Sequence, residues 1–301
     1  MWFRKNKSVR KEVSMGILYV VATPIGNLSD VTKRSIEILN MVDIILCEDT
    51  RNSSHLLNNL GIKTKLMSYH KFNEASRSKE VIDLLKSGKN IAIITDAGTP
   101  CISDPGSILV QEAIKNEIDV YSIPGPSAFV TALTLTGISL NNFAFYGFLE
   151  RKNSKQIEKL KEIDKNDVEV IVLYESPKRI IDTLDNISQA MNNPYVVVLN
   201  ELTKKFEKKY YGLSQDVALK LKNNLNHELG EYVIVIKKNE KKQEELEEVS
   251  LESMLIDKMV KTNCSMKDAI SLLSKENKLL AKKELYNASL NIKKLLNINN
   301  K

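Results

Sequence analysis

Cysteine is scarce in this chain of 301 residues, which contains only Cys47, Cys101 and Cys264. These three lie far apart and fit neither the paired spacing of a zinc site nor a disulfide framework. Apolar runs such as 17–22 are no longer than a β-strand, and the basic start of the chain is followed by no long apolar segment. We therefore expect no membrane span and no signal peptide, and we predict a protein of the reducing cytoplasm.

The charge balance is mildly basic. Lysine and arginine number 44 against 38 for aspartate and glutamate, which gives a net charge of +6. Such a balance favours a polyanionic partner only weakly. With 43% hydrophobic and 27% charged residues, the composition is that of an ordinary globular protein. The length suggests two domains or one large one.

Strand-like and helix-like segments alternate from residue 16 onward. This alternation predicts βαβ units around a mostly parallel sheet. The pattern breaks at IPGPSA, residues 123–128, because Pro-Gly-Pro continues neither a strand nor a helix. It resumes in a second half where KKFEKKYYG, residues 204–212, suits an antiparallel arm. The predicted fold class is α/β, with two mixed α/β domains and a small C-terminal helical extension.

The C-terminal part of the chain, from residue 237 onward, has a different character. KKNEKKQEELEE, residues 237–248, is a charge run that is typical of a solvated linker or a helix start. After it, Ser265 and Asp268 form a capping box that opens the second of three predicted helices. The predicted segments are an N-terminal extension (1–15), an N-terminal α/β domain (16–124), a C-terminal α/β domain (125–238) and the linker with its helices (239–301).

Four glycine- and proline-rich loops each follow a predicted strand. In open α/β sheets, ligands bind at the carboxyl ends of the strands. Glycine and proline there allow the backbone to approach a ligand closely or to hold a fixed turn. Four such loops on one rim favour a binding site over ordinary tight turns. The loops are ATPIGNLSD, CEDTR, TDAGTPCISDPG and IPGPSA, which begin at Ala22, Cys47, Thr95 and Ile123.

These loops lack a phosphate-binding signature. They contain no G-x-G-x-x-G motif and no P-loop, and the TPIGN and DAGTP loops contain no lysine. Acidic residues are present instead, which suits a neutral or cationic ligand. S-adenosylmethionine, with its sulfonium and ammonium groups, fits these electrostatics, although composition does not single it out. The acidic residues are Asp30, Glu48, Asp49, Asp96 and Asp104.

Eight motifs occur in the order found in one family. They are LYVVATPIGNLSDVTKRSIEIL, CEDTR, SYHKFNE, TDAGTPCISDPG, IPGPSA, GFLERK, YESPKRI and NELTKKFE. This series, from about Ile17 to Lys237, resembles the ribosomal RNA small-subunit methyltransferase I group, which is itself similar to the tetrapyrrole methylases. The tail, with SMKDAISLL and KKELYNASL, resembles the helical extension of the same group.

The resemblance implies a deep cleft between two α/β domains that holds a folded S-adenosylmethionine. It also implies a homodimer, and methyl transfer to the ribose 2′-oxygen of a cytidine in 16S rRNA. TPIGNLSD replaces the G-x-G-D-P type of loop of the tetrapyrrole enzymes, which argues against a porphyrin-like substrate. The cofactor-binding residues that the resemblance implies are Pro24, Asp96, Ala97, Gly98, Ser103, Asp104, Pro105, Ser127, Ala128 and Tyr174.

The sequence also departs from the group. Cys101 stands where a small residue such as glycine is common, and Ser29 stands where glycine is common. No flanking base activates the Cys101 thiol, so we interpret this residue as a tolerated small side chain rather than a nucleophile. Its presence in the loop has no explanation in the sequence.

Methyl transfer from a sulfonium is an in-line displacement in which positioning supplies much of the rate. Because the 2′-hydroxyl is a weak acid, a general base would help. The candidates are Glu48, Asp49, His70 and Glu175, all near predicted strand ends, and Arg51 is a candidate for orienting a carboxylate or binding a phosphate. The alternatives are a surface ion-pair cluster in CEDTR and an ordinary partly buried His70. Neither the residues nor the resemblance identifies the base.

RNA phosphates would be bound by lysine and arginine. The candidates are Arg151, Lys152, Lys178, Arg179 and the lysines of the tail, against the alternative of a solvated charged face. No metal ligand set is predicted. Two other functions remain open: a small-molecule methylase with a tetrapyrrole-like acceptor, and a non-catalytic RNA-binding or assembly protein with a relic cofactor cleft.

Overall fold

A computed structural model describes residues 15–239, 250–277 and 280–298. The predicted N-terminal extension, apart from Met15, and residues 240–248 of the predicted charge run lie outside these residues. The chain divides into two compact units after Asn239. Both α/β halves belong to the first unit, and the C-terminal helices form the second.

The first half contains a five-stranded sheet. Every pair of neighbouring strands in it is parallel, in the order β3-β2-β4-β1-β5. All five carboxyl ends therefore lie at one edge of the sheet. The strands are β1 (Leu18–Val21), β2 (Ile44–Cys47), β3 (Lys65–Ser68), β4 (Ile91–Ile93) and β5 (Val120–Ile123).

Helices cover both faces of this sheet, which explains why its central strands are continuous apolar runs. Residues such as Leu18 and Leu46 pack on one face against the third and fourth helices, and Val21 and Ile45 pack on the other face against the first and second. The helices are α1 (Lys33–Met41), α2 (Thr50–Asn59), α3 (Glu74–Lys86) and α4 (Ser107–Lys115).

The second half contains a mixed five-stranded sheet, in the order β6-β7-β10-β8-β9. Its first pair is parallel and its other three pairs are antiparallel. The predicted arm at residues 204–212 forms most of its antiparallel edge strand. The strands are β6 (Phe143–Phe148), β7 (Val170–Glu175), β8 (Tyr195–Asn200), β9 (Lys208–Leu213) and β10 (Tyr232–Lys237).

Four helices accompany the second sheet. The first of them begins at the last residue of IPGPSA and packs through Ala132 and Leu133 on one face of the sheet. The other three pack on the opposite face. The helices are α5 (Ala128–Thr134), α6 (Asn153–Lys165), α7 (Ile180–Ala190) and α8 (Ser214–Lys222). The predicted α/β class and the mixed character of the second half are confirmed.

The C-terminal unit consists of α9 (Leu251–Thr262), α10 (Met266–Glu276) and α11 (Lys282–Ile298). Ser265 is the N-cap of α10, and its hydroxyl oxygen accepts a hydrogen bond from the Asp268 N–H at 3.3 Å, as the capping box predicts. Leu255 and Leu285 are fully buried in the core of this unit. In the described part of the chain, no helix is both long and apolar enough to cross a membrane.

Candidate functional site

A cavity of about 340 Å³ lies in the first unit between the two sheets. Its volume falls within the usual range for small-molecule sites. The loops after β1, β2, β4 and β5 contribute one side, and the ends of β6 and β7, the loop after β8 and the start of β10 contribute the other. The lining residues are Ile25, Glu48, Thr95, Asp96, Ala97, Gly98, Thr99, Ile102, Ser103, Asp104, Ser127, Ala128, Phe129, Phe148, Tyr174, Glu175, Ser176, Pro177, Leu202, Glu231, Tyr232 and Val233.

The loops after β1 and β4 are joined by backbone hydrogen bonds. The Thr23 N–H donates to the Gly98 carbonyl at 2.9 Å, and the Gly98 N–H donates to the Thr23 carbonyl at 3.2 Å. Gly98 has a φ of +86°, and a Cβ there would lie 3.3 Å from the Ile25 side chain. Glycine is therefore favoured at this position both by its backbone conformation and by the close approach of Ile25.

The end of the DAGTPCISDPG loop is fixed by Glu74. The carboxylate of Glu74 accepts hydrogen bonds from the Gly106 N–H at 2.9 Å and from the Tyr69 hydroxyl at 3.2 Å. Gly106 has a φ of +132°, and a Cβ there would lie 2.5 Å from the Cys101 sulfur. Replacement of Gly106 would therefore displace the loop that carries Asp104.

Cys101 occupies a left-handed backbone conformation, with a φ of +67°. This conformation favours glycine, which accounts for the expectation of glycine at this position. The side chain packs against the apolar core beside the first sheet. Burial, together with Glu74 and Asp104, raises the pKa of the thiol to about 11. The thiol is therefore protonated at neutral pH, in agreement with a packing role rather than a nucleophilic one.

The cavity has an acidic side made by Glu48, Asp96 and Asp104. Burial raises the pKa of the Asp104 carboxyl. A hydrogen bond from the Thr95 side chain lowers it by less, and the charge of Asp96 raises it by a smaller amount still. Burial and then the charges of Asp104 and Asp96 raise the pKa of Glu48. Of the residues that the structure describes, no lysine or arginine lines the cavity. The side is therefore suited to a cationic group, which would relieve the repulsion between the carboxylates.

Aromatic side chains form the opposite wall. The Tyr174 hydroxyl accepts a hydrogen bond from the Phe129 N–H at 3.2 Å, which holds the ring in place. The Tyr174 ring makes edge contacts with Phe145 and Phe148, with centroids 4.8 and 5.7 Å away. Burial raises the pKa of Tyr174 to about 12, so its hydroxyl stays protonated and can donate a hydrogen bond into the cavity.

Glu175 lies beneath this wall, and its side chain is 1% exposed. One carboxylate oxygen is 2.6 Å from the Arg179 guanidinium and accepts from the Ser176 N–H, and the other accepts from the Thr183 hydroxyl at 2.6 Å. Because both oxygens already have partners, Glu175 is the least suited of the candidate bases to accept a proton from a substrate.

The other candidate bases occupy different settings. Glu48 is an exposed residue that lines the cavity. Partial burial and the acidic neighbours raise the pKa of its carboxyl, and the nearby His70 lowers that pKa by less. Asp49 is the N-cap of α2, where its carboxylate accepts from the Arg51 N–H at 2.8 Å. The Nδ1 atom of His70 is buried, with no hydrogen-bond partner among the described residues. Asp49, Arg51 and His70 do not line the cavity.

Most of the cofactor-binding residues expected from the sequence lie together on the cavity. Those that line it are Asp96, Ala97, Gly98, Ser103, Asp104, Ser127, Ala128 and Tyr174. Pro24 and Pro105 do not line it. Pro24 is a buried residue within the loop that follows β1, and Pro105 is half-buried in the turn before α4.

The four basic residues considered for RNA divide into two kinds. Arg151, Lys152 and Lys178 are exposed. Arg179 instead donates to Glu175, to the Ser176 hydroxyl at 3.1 Å and to the Leu149 carbonyl at 3.5 Å. The arginine is therefore engaged within the protein.

Sequence reasoning missed the lining residues Leu202, Glu231 and Tyr232. Strand β10 is antiparallel to β7 and β8, and Tyr232 at its start pairs with Glu175 and Asn200 at their ends. The start of β10 therefore reaches the same edge as two carboxyl ends. Because Glu231 and Tyr232 stand before and at the beginning of a strand, inspection of the residues that follow each strand does not reveal them.

Across residues 15–239, 250–277 and 280–298, the structure contains no group of three or more histidine, cysteine, aspartate or glutamate side chains that could hold a metal ion.

Comparison with known proteins identifies the family. The family described as Tetrapyrrole (Corrin/Porphyrin) Methylases matches residues 17–218. The chain is 38% identical over 288 residues to a ribosomal RNA small subunit methyltransferase I of Halalkalibacterium halodurans, covering 94% of this chain and 98% of that protein. It is 44% identical over 224 residues to the protein of the same name from a Hydrogenobaculum species, covering 73% and 95%.

A solved structure supports the same fold. The crystal structure of diphthine synthase superposes with a TM-score of 0.58 at 15% sequence identity, covering 74% of this chain and 89% of that one. The chain thus belongs to the tetrapyrrole methylases and, within them, to the family of the ribosomal RNA small subunit methyltransferase I proteins. It is a methyltransferase.

Proposed function

We propose that this protein transfers a methyl group from S-adenosylmethionine to the ribose 2′-hydroxyl of a cytidine in 16S rRNA. The observation that carries the proposal is the cavity whose acidic side faces an aromatic wall, in a chain whose relatives are named for methylation of small-subunit ribosomal RNA. The protein would act in the cytoplasm as a homodimer.

The lining residues fit S-adenosylmethionine. Asp96 and Asp104 would lie near its cationic groups, since carboxylates with no basic partner in the cavity are stabilised by a positive charge. Gly98 would let the backbone approach the ligand, and the Tyr174 ring offers an apolar face. When bound, the cofactor supplies an electrophilic methyl group on a sulfonium, so the protein needs no covalent intermediate.

The protein's own contribution is to position the ribose oxygen and to take its proton. Glu48 is our choice for the base, because it is exposed to the cavity and its pKa is raised above its ordinary value by burial and by the charges of Asp104 and Asp96. A raised pKa improves a carboxylate as a proton acceptor. Asp49 and Arg51 would set the geometry at the start of α2, and His70 would tune Glu48 through its charge. Glu175 would fix the wall rather than accept the proton.

We propose that RNA phosphates contact Arg151, Lys152 and Lys178, with the lysines of the C-terminal unit adding affinity. Arg179 is a weaker candidate because its guanidinium is engaged with Glu175. Since the helical unit has its own core, its removal is expected to weaken RNA binding without loss of cofactor binding.

The test is transfer of a tritiated methyl group from S-adenosylmethionine to naked 16S rRNA and to 30S particles, with the product nucleoside identified. We expect label in 2′-O-methylcytidine from at least one substrate. Label on a base, or in a tetrapyrrole offered in parallel, would contradict the proposed acceptor. A protein that labels neither RNA nor a tetrapyrrole would favour a non-catalytic role.

A further inference from the structure

Phe148, the last residue of β6, is an exposed aromatic at the mouth of the cavity. Its side chain is 58% exposed, whereas the next residue, Leu149, is buried. The ring meets Tyr174 edge-on, with centroids 5.7 Å apart at 62°. Single exposed apolar side chains are common on protein surfaces. What distinguishes Phe148 is that its exposed ring borders the cavity.

The backbone of β6 accounts for this placement. The pairing register of β6 with β7 shifts between Phe145 and Gly147, which marks a bulge. Gly147 has a φ of +63°, and a Cβ there would lie 3.4 Å from the hydroxyl oxygen of Ser103. The bulge thus places the end of β6 directly beside the loop expected to hold the cofactor.

A second, more open cavity of about 940 Å³ also has Phe148 in its lining. Among the described residues, Phe148 is the one that lines both cavities. The second cavity is lined by Tyr146, Phe148, Leu149, Glu150, Arg151, Lys152, Lys155, Glu158, Lys159 and Glu162.

The basic residues of the second cavity are mostly available for a ligand. Lys159 pairs with Glu162 at 2.8 Å. Within the part of the chain that the structure describes, Arg151, Lys152 and Lys155 have no ion-pair partner. A planar apolar ring beside unpaired cations is the combination that binds an unstacked nucleotide, through its base and its phosphates.

We infer that Phe148 is the stacking platform for the base of the acceptor nucleotide. The base lies on the Phe148 ring, the ribose faces the first cavity, and the flanking phosphates lie over Arg151, Lys152 and Lys155. This inference rests on the proposed function and adds the site at which the RNA acceptor is held. An enzyme acting on one nucleotide of a structured RNA must take it out of the stack, and an aromatic platform compensates the lost stacking.

Substitution of Phe148 by leucine tests the platform, because leucine keeps the apolar character and removes the aromatic face. Phe143→Leu is the matched control, since Phe143 is also exposed and lies at the other end of β6. With the RNA substrate that the wild-type protein accepts, we expect Phe148→Leu to raise KM for RNA about tenfold. Because Phe148 also lines the first cavity, the affinity for S-adenosylmethionine is measured by calorimetry as well, and we expect it to fall by much less than the KM for RNA rises. Phe148→Tyr should restore the wild-type KM.

Two results would overturn the platform: the same KM in Phe148→Leu and Phe143→Leu, or no rescue by Phe148→Tyr. Phe148→Trp supplies a second measurement that needs no turnover, in a chain with a single other tryptophan. Its added fluorescence should be quenched by 16S rRNA in proportion to binding, and an unchanged signal at saturating RNA would also count against stacking. The activity of the wild-type protein on RNA tests the proposed function. The ratio of the KM for RNA in Phe148→Leu to the KM in the wild type tests the role of Phe148.

Discussion

The carboxylate of Glu175 lies 2.6 Å from the guanidinium of Arg179, on a side chain that is 1% exposed. The pair lies directly below the residues that form the aromatic wall of the cavity. Sequence motifs alone presented these two residues as a catalytic and an RNA-binding candidate. Their contact indicates instead that each holds the other in place, and that YESPKRI shapes the cavity from beneath.

Arg179→Met is expected to destabilise the protein by about 3 kcal/mol, because it leaves the Glu175 carboxylate buried without its cation. Urea unfolding monitored by circular dichroism measures the loss. Lys178→Met is the matched control, since Lys178 is exposed and its replacement should change stability by less than about 0.5 kcal/mol. Lys178→Met should instead weaken RNA binding and reduce its salt dependence. Equal stability of the two variants would contradict the structural role of Arg179.

Asp104→Asn is expected to stabilise the ligand-free protein while weakening S-adenosylmethionine. The substitution removes a partly buried charge and its repulsion with Asp96 and Glu48, and the amide oxygen can still accept from Thr95. We expect a gain of about 0.5–1 kcal/mol in the free energy of unfolding at neutral pH. A variant that loses stability and binds the cofactor normally would show that Asp104 is a structural residue.

The pH dependence of that gain has a definite sign. The pKa of Asp104 is raised above its ordinary value of 3.8 in the folded protein. The protonated Asp104 carboxyl therefore contributes to the stability of the wild-type protein below pH 3.8, and this contribution is lost as the pH rises through the raised pKa. The difference in unfolding free energy between Asp104→Asn and wild type should be near zero at low pH and should grow toward neutral pH. A difference that shrinks with rising pH would contradict the raised pKa.

Glu48 and Asp49 are neighbours, but the structure predicts that replacement of Glu48 lowers the rate of methyl transfer and that replacement of Asp49 lowers stability. Glu48→Gln should lower single-turnover methyl transfer by at least a hundredfold, because a general base is removed, and should weaken cofactor binding by much less than it lowers the rate. Asp49→Ala should cost about 1 kcal/mol of stability, because α2 loses its N-cap. Rapid-quench kinetics and thermal unfolding of both variants measure these effects. A wild-type rate in Glu48→Gln would exclude Glu48 as the base.

The Cys101 thiol is expected to resist alkylation. With a pKa of about 11, its thiolate fraction at pH 8 is about one in a thousand. Iodoacetamide labelling followed by peptide mass spectrometry should show modification at Cys101 only near or above pH 10 in the native protein. Unfolding in urea is the control, since it should make all three cysteines reactive. Fast labelling at pH 8 would indicate an activated thiol.

The sequence alone predicted the alternation of strands and helices in the first half, because a parallel sheet covered on both faces needs apolar strands joined by helices. It also predicted the common rim of four loops, since parallel strands end at one edge. Helix α8 was not predicted. Its buried apolar residues Val217, Ala218 and Leu221 span little more than one turn, which gives a weak helical period.

Single motifs predicted several residues of the candidate site. Asp96, Asp104 and Tyr174 came from motifs that the chain shares with a family, and the structure places all three on one cavity. Phe148 and Tyr232 depend on how two sheets face each other, and no local pattern in the sequence contains that information. The ion pair between Glu175 and Arg179 likewise depends on the conformation of the first turn after β7, which the sequence pattern does not reveal.

The central claim is that the cavity between the two sheets binds S-adenosylmethionine, and calorimetric titration tests it most directly. We predict one site per chain in the wild-type protein and an affinity at least about tenfold weaker in Asp104→Asn, because a charged partner is lost. Phe143→Leu should bind as the wild type does. An absence of binding heat at any cofactor concentration, or equal affinity in wild type and Asp104→Asn, would contradict the claim.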